Sequence, residues 1–273
     1  HEMNVLSKAE KVRVEDGNSV SYEDFEKILG EYKKLLKTTS RLVRHSDRME
    51  INLNITAKEA REKSEQLEAL SNQLAKYLSP QVYDSIFSGT REVSLTSSRK
   101  KLSIFFSDIV NFTKLSESIE SEELTGLLNY YLTEMSHIAL KHGATIDKYI
   151  GDAIVIFFGD PETKGIEEDA LSCVKMAIEM KSKMFELRNH WKHYGLAEPL
   201  QSRMGIHTGF CTVGNFGSEN RMDYTVIGSG VNLAARLESA SEPGNILMSY
   251  DTYNYVKNTC LLYTSPSPRD NSG

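Results

Sequence analysis

The chain has 273 residues, 40% of them hydrophobic, and a formal net charge of −6. That suffices for one sizeable domain with its own core plus an accessory segment. Interspersed acids and bases argue against a basic patch for nucleic acid or a tail that seeks an anionic membrane, and no stretch approaches the ~18 apolar residues of a membrane helix.

Residues 1–21, opening on HEMNV, read as an irregular leader belonging to a longer protein, with a sensor or receptor domain expected upstream. From residue 22 to about 78 there is no Pro and a single Gly, and Glu, Lys, Leu and Arg dominate, the composition of a long exposed helix. Ile28, Leu35, Leu42 and Met49 keep a seven-residue repeat; Leu53, Ala60, Leu67 and Leu74 resume it after a four-residue step, a stutter. The spacing predicts a two-stranded coiled coil. A single amphipathic helix lying on its own domain is the alternative, since KTTSRLVRHSD is polar for a seam.

YLSPQVYDSIFSG then closes one helix and opens another, with Ser79 as N-cap, Pro80 at the first helical position and Gly89 past the end. This makes residues 22–89 a coiled-coil helix and connector. From 90 to 258 strands and helices alternate: a strand at KLSIFFSDI, a helix Ser121–Lys141, a hairpin TIDKYIGDAIVIFF turning at Gly151 and Asp152, a helix from Glu167 to about His193, and a strand at SRMGIHTG. The order β-α-β-β-α-β predicts an α+β, ferredoxin-like fold. Strands at CTVGNFG and MDYTVIG, a helix GVNLAARLESA and a strand NILMS extend it. The final CLLYTSPSPRDNSG breaks the alternation, and residues 259–273 read as a disordered, foreign tail.

In this topology the spatial strand order is 4-1-3-2, so the first strand ends beside the hairpin that joins the second and third. Asp108 is therefore expected next to Asp152. Two such carboxylates repel unless a cation lies between them, and oxygen ligands of this kind suit Mg²⁺ or Mn²⁺. Each acid alone has a plain reading as well, Asp108 as a cap and Asp152 as a hairpin residue.

FFSDIVNFT, DKYIGDAIVIFFG, RMGIHTG and DYTVIGSGVNLAARLE together resemble, in order and over about 155 residues, the signature stretches of the class III nucleotidyl cyclase catalytic domain, most of all the bacterial adenylate cyclases. The resemblance implies an enzyme that makes 3′,5′-cyclic AMP and pyrophosphate from ATP with two Mg²⁺ or Mn²⁺ ions. It implies that Asp108 and Asp152 hold the ions with help from the Ile109 carbonyl. Asn232 would orient the ribose and Arg236 would meet charge on the transferring phosphoryl group. Lys148 and Thr225 fall at the two purine-reading positions, and a Lys donor with a hydroxyl acceptor matches the N1 and 6-amino group of adenine. The site would be built across a head-to-tail homodimer, the Asp pair from one chain and the Lys, Thr, Asn and Arg from the other.

The family would continue beyond SYDTYNYVKN through strands carrying a Lys for the terminal phosphates, and the tail does not match that portion. A guanylate cyclase, a non-catalytic cyclase-like module and a ferredoxin-like RNA-binding domain are the rival readings, the last disfavoured by the acidic balance. His207 is expected to be a packed or hydrogen-bonded strand residue, and no histidine is assigned as a base. Three cysteines, Cys173, Cys211 and Cys260, lie far apart in no zinc spacing, and no signal peptide opens the chain, so a cytoplasmic location is expected.

Overall fold

A computed structural model describes residues 22–89, 95–192, 199–218 and 220–259, without the side chains of Asp24 and Asn189. The expected leader and most of the expected foreign tail lie outside the described residues, as do His193 and Cys260. The chain divides into two compact units between Asn72 and Gln73, which are described separately.

The first unit contains nearly all of α1 (Tyr22–Leu74), a single 53-residue helix, about 80 Å long at 1.5 Å per residue. The polar stretch KTTSRLVRHSD does not break it. The Thr38 and Thr39 hydroxyls donate to the carbonyls of Lys34 and Leu35 four residues back, so these side chains turn their polar groups onto the helix itself. The seam residues Ile28, Leu35, Leu42, Met49, Leu53 and Leu67 are all exposed on the single chain, Leu35 and Leu42 at 63% each.

In the second unit a short 3₁₀ turn, Ala75–Tyr77, leads to α2 (Pro80–Phe87), with Ser79 at the N-cap and Pro80 first in the helix. Gly89 adopts φ +71°, the left-handed conformation that ends a helix at little cost to glycine. Ser79 caps by position only, its side chain making no cap hydrogen bond. Then come β1 (Ser97–Ile109), α3 (Phe112–Ser118), α4 (Ser121–Lys141), β2 (Thr145–Ile150), β3 (Ala153–Phe158) and α5 (Ile166–Trp191). They are followed by β4 (Ser202–Ser218), β5 (Arg221–Ile227), α6 (Ser229–Ala240), β6 (Ile246–Met248) and α7 (Tyr250–Val256).

The sheet order is β2-β3-β1-β4-β5, with β6 parallel to β4 at Met204–Ile206 and every other pair antiparallel. The expected 4-1-3-2 core is present. Two details differ from the sequence reading. SRMGIHTG and CTVGNFG are one strand rather than two, because Gly209 and Phe210 continue the pairing with Leu102 and Lys101 instead of turning. The seven-residue helices α3 and α7 were not anticipated, both being too short for a helical period to register.

Alternate residues of β1 face two cores. Phe105 and Ile109 pack under α4 and α5 with Leu127, Tyr131, Met135, Ala177, Met180 and Trp191, whereas Leu102 and Ile104 face Phe157, Cys211, Val213, Val226 and Ala234. The second face is covered by α6, which approaches β4 closely at Gly205. A Cβ there would lie 2.2 Å from the Glu238 nitrogen and 2.3 Å from the Ala234 carbonyl. Asp108 has the same strand parity as Leu102 and Ile104, so it projects on the α6 side, opposite Arg203 in the register.

Candidate active site

Asp108 is the last residue but one of β1, and Asp152 ends the tight Gly151–Asp152 turn between β2 and β3. Gly151 takes φ +65°, a conformation costly for a side chain with a Cβ. Because β3 runs antiparallel to β1, this turn folds over the end of β1, and the Ile109 N–H donates to Asp152 Oδ2 at 2.9 Å. Burial and the adjoining Asp108 carboxyl push Asp152 from an ordinary 3.8 up to about 7, against the pull of the Ile109 N–H. The structure thus brings together Asp108, Ile109 and Asp152, which lie 43 residues apart at the closest hydrogen bond.

Asp108 has a partner that sequence reasoning missed. Arg203 Nη2 donates to Asp108 Oδ2 at 3.1 Å, and Arg203 Nε lies 3.1 Å from Glu238 Oε1 of α6, an ion contact at an angle too poor for a hydrogen bond. Register places Arg203 opposite Asp108 although 95 residues separate them. The usable signal was positional, since Arg203 opens RMGIHTG and the strand order alone pairs that strand with FFSDI.

The donors fit a hard divalent cation. Two carboxylates crowd close enough for one to hold its proton to about neutral pH, and the described residues contain no group of three or more His, Cys, Asp or Glu in a metal-holding arrangement. Carboxylate oxygens of this kind suit Mg²⁺ or Mn²⁺, which keep water and substrate oxygens as ligands.

Lys148 and Thr225 are on β2 and β5, the two edges of the sheet, and the edges meet. The Thr225 hydroxyl donates to Asp147 Oδ2 at 3.0 Å, and Lys148 Nζ lies 3.6 Å from the same oxygen. Asp147 sits at a bulge, where the register slips between Ile146 and Lys148. Such an extra residue re-aims its neighbours' side chains. Asp147, Lys148, Thr225 and Tyr224 line a cleft of about 190 Å³ whose opposite wall is Tyr77, Leu78, Ser79 and Val82.

Asn232 and Arg236 stand one turn apart on α6, both exposed. Among the described residues, neither is joined by a hydrogen bond or ion pair to Asp108, Asp152, Lys148 or Thr225, and Arg236 pairs with neither Glu238 nor Asp223. Their tie to the acids is indirect, through Glu238 and Arg203. His207 is buried, with Nδ1 2.9 Å from Ser249 Oγ, as expected of a packed strand histidine. Cys173 and Cys211 are free and buried.

With the sheet order, the paired acids and the α6 face established, comparison with known proteins gives the class. The chain matches the adenylate and guanylate cyclase catalytic domain over residues 95–268 and belongs to that family. Among its relatives, adenylate cyclase 1 of Rhizobium meliloti (strain 1021) is 33% identical over 146 residues, 53% of this chain and 21% of the relative. The chain thus matches about a fifth of that protein's length. Of solved structures, the adenylyl cyclase CyaB from P. aeruginosa is 58% identical with a TM-score of 0.59, over 60% of this chain and 84% of that one. The guanylyl cyclase Cya2 is 37% identical with a TM-score of 0.56, over 59% of this chain and 80% of that one.

Proposed function

We propose that this protein is an adenylate cyclase, converting ATP into 3′,5′-cyclic AMP and pyrophosphate at sites built between two copies of the chain. The choice of ATP rests on one observation: a lysine and a threonine hydroxyl converge on the same cleft through Asp147. An ammonium donor meets the N1 acceptor of adenine and a hydroxyl acceptor meets its 6-amino group. The relationship to adenylyl cyclase CyaB supports the same choice.

Asp108 and Asp152, with the Ile109 carbonyl, would hold two Mg²⁺ or Mn²⁺ ions. When bound, such ions would supply Lewis-acid chemistry, acidifying the ribose hydroxyl and offsetting charge on the pyrophosphate. Asn232 fixes the ribose so that its 3′-oxygen faces the α-phosphorus. Arg236 carries a permanent charge and several donors to the transferring phosphoryl group. Arg203 holds the Asp108 carboxylate in place at the end of β1. Asn232 and Arg236 come from the partner copy.

The exposed seam of α1 pairs with the same seam of a second copy as a parallel coiled coil, with its stutter between Met49 and Leu53. An upstream sensor domain acts through this rod, and the catalytic unit works in the cytoplasm. No helix among the described residues is long and apolar enough to cross a membrane.

Guanylate cyclase is the second reading, favoured by the relationship to Cya2. The deciding experiment incubates purified protein with Mn²⁺ and either ATP or GTP and measures both cyclic products, beside an Asp108→Asn variant. Faster cyclic AMP formation that disappears in the variant is expected; faster cyclic GMP formation selects the second reading.

A further inference from the structure

Asp147 is not among the residues that the cyclase resemblance implicates, yet its environment is unusual. Only 2% of its side chain is exposed, its Oδ1 has no hydrogen-bond partner, and its Oδ2 accepts the Thr225 hydroxyl proton while lying 3.6 Å from the Lys148 ammonium. A free threonine hydroxyl can donate or accept, so by itself it reads a 6-amino and a 6-oxo group almost equally well. Bound to Asp147, its one proton is committed. The lone pairs that remain are acceptors only.

We infer that Asp147 is a positioning residue for base selection: by taking the Thr225 proton it turns that hydroxyl into a fixed acceptor, which admits a 6-amino purine and repels a 6-oxo one. This rests on the reading of Lys148 and Thr225 as purine contacts and names the device behind their choice. Burial raises the Asp147 pKa, but a proton taken up there goes to Oδ1, because the Lys148 ammonium disfavours it on Oδ2. The acceptor facing Thr225 survives in either state. The bulge explains the placement, since it lets Asp147 reach the opposite edge strand while Lys148 returns to its place opposite Val155.

The test is calorimetric titration of the full-length protein, with Mg²⁺, using 3′-deoxy-ATP and 3′-deoxy-GTP, which lack the attacking hydroxyl and need no turnover. Wild-type protein is expected to prefer the adenine analogue. Asp147→Leu, close in size but without an acceptor, is expected to lower that preference about tenfold, the scale of one aligned hydrogen bond. Asp147→Asn keeps an acceptor oxygen and is expected to restore most of it. In a Thr225→Ala background Asp147→Leu should change the ratio no further, a coupling that a merely structural role would not produce. Should leucine unfold the protein, Asp147→Ala takes its place.

A folded Asp147→Leu protein with the wild-type ratio overturns the inference, and so does an equal loss of affinity for both analogues. Wild-type protein that favours the guanine analogue, or binds neither, overturns the base-reading site itself. The two failures are thereby distinguished.

Discussion

Asp152 carries the clearest electrostatic signature of the site. Its folded pKa lies near 7 against an ordinary 3.8, so between those values the metal-free native protein holds a proton that the unfolded chain has lost. Stability therefore falls as pH rises through this window. Scanning calorimetry of metal-free protein from pH 5 to pH 8 should show a declining melting temperature, and Asp152→Asn should flatten that decline. A divalent cation competes with the proton, so its binding should release protons near pH 6.5 and tighten as pH rises. Activity has a separate test. Asp108→Asn keeps the shape of the side chain but removes its charge, and cyclic nucleotide formation should drop by about 100-fold or more while the fold, read by circular dichroism, is kept.

Among the elements, α6 carries the proposed ribose and phosphoryl contacts, Asn232 and Arg236, and lies directly on β4. Its closeness depends on Gly205, where a Cβ would meet backbone atoms of Glu238 and Ala234 at 2.2 and 2.3 Å. Backbone cannot swing aside as a flexible side chain does. Gly205→Ala should cost about 1–3 kcal/mol in denaturant unfolding, the usual range for overpacking. The same shift should move α6 away from Arg203, so activity should fall by more than the lost stability alone explains. The α1 helix is tested by its seam: replacing Leu35 and Leu42 with Glu should move the sedimentation coefficient from dimer toward monomer.

At the scale of the whole molecule, the proposal requires two chains for one site. Asp108→Asn and Arg236→Ala proteins should each be nearly inactive. In a mixture exchanged at equal concentration, half of the dimers are mixed and each mixed dimer has one complete site of two, so activity should return to about a quarter of wild type. No recovery after confirmed exchange would mean that the acids and Arg236 act within one chain. The curled sheet belongs to this scale too. Its strands β2 and β5, at the two ends of the five-strand order, approach until Thr225 reaches Asp147 across 78 residues of sequence, so the cleft beside Lys148 exists only once these strands have met.

Local pattern was enough for much of this protein. The sequence placed α4 at Ser121–Lys141 and the hairpin at Thr145–Phe158, because helical period, a Gly-Asp turn and alternating strands are short-range signals. Strand order then followed from the β-α-β-β-α-β succession, and with it the meeting of Asp108 and Asp152. Only the tertiary structure could show that Arg203 holds Asp108, that SRMGIHTG and CTVGNFG form one strand, and that a bulge turns Asp147 toward Thr225. Those facts depend on register and sheet curvature. Both are set by how side chains pack across strands far apart along the chain, which no window of neighbouring residues contains.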